Sequence, residues 1–213
     1  MTERTDFLYP FIEGDERAAG SLLEDLGASA VSKGAVSAAL RATTLERDRD
    51  QLERAATGMA ARLVAGGRLF TFGNGGSSTD ASALAALFSR PPSGRPLAAR
   101  CLSDDTAVLT ALANDIGFEL VFSRQLIAHA DGGDVALGIS TSGNSRNLLA
   151  AFDEATDRGL LTVGFAGYEG GDMSQSPSVS ICFVVRSESV HRVQETQAAL
   201  GFALWRAVQD RLS

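Results

Sequence analysis

Two short stretches hold residue types whose spacing suits chemistry. In Ser140-Thr141-Ser142-Gly143-Asn144-Ser145 four hydroxyls fall within six residues, and hydroxyls donate to phosphate oxygens without carrying charge. In Gly73-Asn74-Gly75-Gly76-Ser77-Ser78 three glycines let the backbone turn tightly and approach a ligand closely. If each stretch opens a helix, the first amides of that helix lack an intrahelical partner and point outward, which favours an anion. The chemistry implied is phosphate binding by neutral donors, with the two stretches as halves of one site.

The flanking residues supply the elements that must position these loops. Leu69-Phe70-Thr71-Phe72 is a short apolar run rich in β-formers, and Thr79 to Leu87 contains good helix formers, so the first stretch reads as strand, loop, helix. Asp134 to Ile139 repeats the pattern before the second stretch. Strands are expected near 68–73, 97–102, 134–140, 160–165 and 179–185, and helices near 77–89, 104–113, 117–129, 145–158 and 190–211. Such alternation predicts an α/β fold, a five-stranded parallel sheet with helices on both faces. In the order 2-1-3-4-5 the switch point lies between strands one and three, which places the two loops side by side.

Before this core, residues 1–66 read as a helical arm. Met1 to about Gly14 is aromatic and acidic and is expected to be irregular or to pack on a neighbouring subunit. From about Asp15 to Glu46, Leu22, Leu23, Leu26, Val31, Val36 and Leu40 form an apolar stripe that Gly27 and Gly34 could interrupt. Arg47 to Gly66 reads as a second helix whose opening Arg47-Asp48-Arg49-Asp50 is a solvated first turn. The 213 residues form one domain, with 67–213 as the α/β core.

Composition narrows the function. The net charge of -7 leaves no broad electropositive surface, which argues against direct nucleic-acid binding. No apolar run approaches the roughly 20 residues that span a bilayer, and the start lacks a signal-peptide pattern, so no membrane contact and a cytoplasmic location are expected. Cys101 and Cys182 fall in predicted buried strands and read as inert thiols. Lys33 is the only lysine, which excludes a Walker-type phosphate loop. A dinucleotide fingerprint is a rival: Gly73 and Gly75 fit G-x-G-x-x-G and Asp104 could take the ribose role, but Ser78 stands at the third glycine. Ordinary turns closing a sheet are the plain alternative.

Five motifs in order carry a family resemblance: Gly73-Asn74-Gly75-Gly76-Ser77, Leu102-Ser103-Asp104, Asn114-Asp115-Ile116-Gly117-Phe118, Gly138 to Ser145, and Arg192-Val193-Gln194-Glu195. Together they resemble the phosphoheptose isomerase branch of the SIS (sugar isomerase) domain family, a branch that also includes the DnaA-initiator-associating protein. The resemblance implies an SIS-type three-layer sandwich and a homotetramer. It implies that Ser77, Ser140, Thr141, Ser142 and Ser145 hold the phosphate of a phosphorylated sugar. By the same resemblance Asn74, Gly75, Gly76, Asn114 and Asp115 contact the substrate, with Gln194 beside them.

The catalytic half departs from the family pattern. The resemblance places a metal-binding histidine, a glutamate four residues later, and a glutamine and histidine eight residues apart at Ala83, Leu87, Gln194 and Phe202, so only the glutamine is kept. No metal cofactor is therefore expected. Of the groups that could substitute, His129 reads as a solvent-facing or capping residue, Glu195 is turned about 100° from Gln194 and faces elsewhere, and Glu188 lies in the preceding loop, while His191, three residues before Gln194, is the catalytic candidate. Three readings stay open: a phosphosugar-binding protein without isomerase chemistry, an isomerase using other residues, and an interaction module, including one that pairs with a catalytic paralogue. Homo-oligomer formation is expected from the arm and from the apolar last helix with Val193, Leu200, Leu204, Trp205 and Val208.

Overall fold

The computed structural model describes residues 19–212. The expectation for Met1 to Gly14 lies outside the described residues. In chain order the elements are α1 (Ala19–Arg47), α2 (Arg49–Val64), β1 (Leu69–Gly73), α3 (Gly76–Ser89), β2 (Ala99–Cys101), α4 (Thr106–Asp115), α5 (Val121–His129), β3 (Val135–Ile139), α6 (Arg146–Asp157), β4 (Leu161–Gly167), α7 (Gly171–Gln175), β5 (Ile181–Val185) and α8 (Val190–Gln209).

All strand pairs are parallel and the order is β2-β1-β3-β4-β5, as the sequence predicts. β1 and β3 are buried along their whole length, which is why both read as continuous apolar runs rather than alternating ones. Their register pairs Leu69 with Val135 and Gly73 with Ile139, so both strands end together and release their loops from one edge.

Helices cover both faces. On one, Met59 and Leu63 of α2, Phe88 of α3, and Leu200 and Leu204 of α8 pack against Leu69, Leu137 and Ile139. On the other, Phe122 of α5 and Phe152 of α6 meet Phe72, with ring centroids 5.5 and 5.3 Å away. Offset aromatic pairs at this spacing add to the burial of large apolar areas.

The compact unit Leu40–Ser213 contains α2 together with the α/β layers, and the helix residues before Leu40 belong to a separate unit. α1 runs unbroken through Gly27 and Gly34, where the sequence suggested interruption, because nothing crowds either position and the helix there is largely solvated. Its Leu23, Leu26, Val31 and Val36 are exposed, Val31 by 75%. The run at Arg47 is less solvated than expected: its guanidinium bonds Asp48 and donates to the Val184 carbonyl at 2.5 Å, and Asp48 separates α1 from α2.

Three further expectations change. The helix expected over 117–129 begins as a 3-10 turn, Phe118–Leu120, and α7 has no counterpart because five residues leave no readable period. Val193, Leu200, Leu204, Trp205 and Val208 are buried within the chain, so this face of α8 packs on its own sheet rather than offering a partner surface. Both cysteines are free, with Cys101 buried and Cys182 half-buried. Burial, then the charge of Asp48, pushes the Cys182 thiol up to about 12, which keeps it protonated and unreactive. Among the described residues no helix is long and apolar enough to cross a membrane.

Candidate functional site

The serine loop is a curled hydroxyl cluster between β3 and α6. Ser140, 4% exposed, is its hub: its hydroxyl accepts the Gly143 N–H at 3.0 Å and lies 3.2 Å from Ser145 Oγ and 3.5 Å from Ser142 Oγ. Ser142 Oγ accepts the Asn144 N–H at 3.2 Å. From below, Gln197 Nε2 of α8 donates to the Ser140 carbonyl at 3.1 Å.

A second turn backs this loop. β4 leads into Tyr168, the only positive-φ residue other than glycine among the described residues, and then into Gly170 and Gly171. The Met173 N–H donates to the Gly143 carbonyl at 2.9 Å and the Asp172 N–H to Asn144 Oδ1 at 2.8 Å. Gly143 has φ +71°, and a Cβ there would collide with the Gly170 carbonyl, so the close approach of the two turns requires glycine. Strain at a residue such as Tyr168 persists only where its surroundings enforce it, and it tends to mark functional turns.

The glycine loop faces the serine loop across paired strand ends. The Ser77 N–H donates to the Asn74 carbonyl and the Ser78 N–H to the Gly75 carbonyl, both at 3.0 Å, as α3 begins. A Cβ at Gly76 would meet Gln194 Nε2, which places Gln194 of α8 directly over the start of α3. Asn74 and Asn147 exchange two carboxamide hydrogen bonds of 2.9 Å, linking the first loop to the helix that follows the second. The Ser77 and Thr141 hydroxyls make no protein hydrogen bond among the described residues, and so each loop presents a spare donor. These hydroxyls, the opening turns of α3 and α6 and the Asn74 carboxamide lie at one edge of the sheet, an arrangement of neutral donors that suits an anion.

The remaining sequence-predicted residues fall in three places. Ala83, Leu87 and Phe202 come together, lining a cavity of about 100 Å³ with Asp80, Ile139 and Gln197. Burial pushes the Asp80 carboxyl above the usual carboxylate range, and Asp80 Oδ2 and Gln197 Oε1 are buried without a hydrogen-bond partner. Phe202, on the cavity wall, lies 5.3 Å from the ring of Trp205, tilted 41° to it. Asn114 and Asp115 end α4, exposed, with Asn114 Nδ2 donating to Asp115 Oδ1 at 2.7 Å; no hydrogen bond joins them to either loop. His191 is the exposed second residue of α8, and His129 is the last residue of α5. Among the described residues no group of three or more His, Cys, Asp or Glu is placed to hold a metal ion.

Reading the sequence missed Asn147, Gln197 and Asp80. A signal existed for each, a polar residue on a helix face otherwise filled with Leu, Ala and Phe: Asn147 stands in line with Ala151 and Ala155, and Gln197 with Val193, Leu200 and Leu204.

Comparison with known proteins places the whole arrangement. A family model described as SIS domain matches residues 34–167, a stretch that includes both loops. The phosphoheptose isomerase of Thermodesulfovibrio yellowstonii is 44% identical over 156 residues, covering 72% of this chain and 77% of that protein. That of Solidesulfovibrio magneticus is 41% identical over 181 residues, covering 82% of this chain and 85% of that protein. The structure of phosphoheptose isomerase GmhA from Neisseria gonorrhoeae superposes with a TM-score of 0.80 at 32% identity, over 87% of this chain and 99% of that one.

Proposed function

The chain belongs to the SIS domain family, in its phosphoheptose isomerase branch, and from that premise we propose that it binds a phosphorylated sugar between the glycine and serine loops. The observation that supports this reading is the pairing of Gly73 with Ile139, which sets the two loops at adjacent ends of β1 and β3. Ser77, Ser140, Thr141, Ser142 and Ser145 take the phosphate, and Asn74, Gly75, Gly76 and Gln194 flank the sugar.

In this reading phosphoheptose isomerase chemistry is lost or altered. Moving a proton between adjacent carbons needs a base near the reacting carbon and an acid near the carbonyl oxygen. Ala83, Leu87 and Phe202 bring hydrocarbon to the cavity where the resemblance implies titratable and metal-binding groups. The donor set does not fit zinc, which takes three or four nitrogen, sulfur or carboxylate ligands: Asp80 supplies one carboxylate, and Gln194 and Gln197 supply carboxamides. Each missing acid or base lowers the rate by about 10²–10⁴. Incubating the pure protein with sedoheptulose 7-phosphate, with and without zinc, tests this. Binding without turnover is expected, and heptose phosphate formation at an enzyme-like rate would refute it.

One observation favours a second, catalytic reading. Gln194 overhangs the start of α3, and His191 lies one turn earlier on the same helix, exposed and free to act as a base. Turnover of any sugar phosphate that disappears in His191→Ala would establish it. A homo-oligomer, tetrameric by the family resemblance, is the proposed assembly, supported by the exposed apolar residues of α1.

A further inference from the structure

Asn147 occupies the second position of α6 and is 3% exposed, on the line that also buries Ala151 and Ala155. A polar group this buried must find a partner, since an unpaired one costs about 1–3 kcal/mol. Among the described residues its side chain pairs with Asn74: Asn74 Nδ2 donates to Asn147 Oδ1, and Asn147 Nδ2 donates to Asn74 Oδ1, each at 2.9 Å. The two residues are 73 positions apart, so the link is tertiary, joining one half of the site to the other.

The pairing has a directional consequence. A carboxamide has two N–H donors and two acceptor lone pairs, and a reciprocal pair uses one of each. Asn74 is thereby held in one rotamer with its amide plane fixed, and its remaining N–H and lone pair are directed away from Asn147. Asn74 itself is half-buried at the junction of β1 and α3. Ser140, Ser142 and Ser145 bond one another and the loop backbone without help from either asparagine.

We propose that Asn147 is a positioning residue that fixes the Asn74 carboxamide to read the sugar portion of the ligand, leaving phosphate affinity to Ser77 and the serine loop. The proposal rests on the phosphosugar-binding reading above. It separates the work within the site: the hydroxyls hold the charge, and the Asn74 carboxamide sorts the carbohydrate attached to it.

Equilibrium titrations with two probes, sedoheptulose 7-phosphate and inorganic phosphate, test it on wild type, Asn74→Ala, Asn147→Ala and the double variant. In Asn147→Ala the phosphosugar should bind about tenfold more weakly, the loss of one hydrogen bond at about 1.4 kcal/mol per decade. Phosphate affinity should change less than twofold, and the double variant should bind the phosphosugar no more weakly than Asn74→Ala alone. If melting shows Asn147→Ala to be unfolded, Asn147→Leu, of similar volume, replaces it with the same expectations. Equal weakening of both probes, losses that add in the double variant, or unchanged phosphosugar affinity in the single variant would each overturn the proposal. In those cases wild-type binding of the phosphosugar still stands, whereas a wild type that binds neither probe removes the phosphosugar reading and this proposal together.

Discussion

Asp80 shows how a single residue reports on the site. Its carboxyl is pushed above the usual range by burial, so in the interval between the ordinary and the raised value the folded protein holds more proton than the unfolded chain. Stability therefore falls as pH rises through that interval, and the deficit is complete above it. Asp80→Asn should raise the urea midpoint at neutral pH relative to wild type, with the difference vanishing as pH drops below the ordinary carboxylate range. A variant less stable than wild type at pH 7 would contradict burial as the cause. At this scale the hydroxyl loop was legible, because four hydroxyls within six residues are a local pattern. Asn147 and Gln197 stand out as polar residues on apolar helix faces, but what they bond was not legible, because their partners, Asn74 and the Ser140 carbonyl, lie 73 and 57 residues away. Asn114 and Asp115, named from the resemblance, end an exposed helix and bond each other.

The elements were read better than their joints. β1 and β3 announce themselves as fully buried apolar runs, and their adjacency follows from the switch-point rule, so the side-by-side loops could be anticipated before any coordinates. The turn after β4 could not, since its role depends on backbone contacts to Gly143 and Asn144 that leave no periodic trace. That turn makes a prediction about the serine loop. Gly143→Ala would place a side chain at φ +71° and drive a Cβ into the Gly170 carbonyl, forcing the two turns apart. The left-handed backbone and the overpacking together should cost about 2–4 kcal/mol in chemical denaturation. Affinity for sedoheptulose 7-phosphate should fall with it, and a variant of wild-type stability and affinity would show that the backing turn is dispensable.

At the scale of the molecule, of the two apolar surfaces the sequence suggested, the arm is left uncovered and the last helix is not. The last helix buries Leu200, Leu204 and Trp205 against its own sheet, while Leu23, Leu26, Val31 and Val36 of α1 face solvent. Apolar exposure along a helix of 29 residues, about 44 Å long, is a feature expected of an assembly surface. Light scattering of wild type should give a tetramer mass, and Leu26→Glu combined with Val31→Glu should lower it, because two buried charges without partners oppose association. An unchanged mass would assign assembly to another surface.

The contact between Phe202 and Trp205 has a practical corollary. Trp205 is the single tryptophan of the chain, and Phe202 forms part of the cavity wall while lying 5.3 Å from the indole ring. A guest that displaces the phenyl ring changes the surroundings of the only strongly emitting chromophore, so the molecule carries its own optical gauge of occupancy. Rapid mixing with sedoheptulose 7-phosphate should produce a time-resolved change in tryptophan emission, and Phe202→Ala should remove the signal while leaving the phosphate cradle intact.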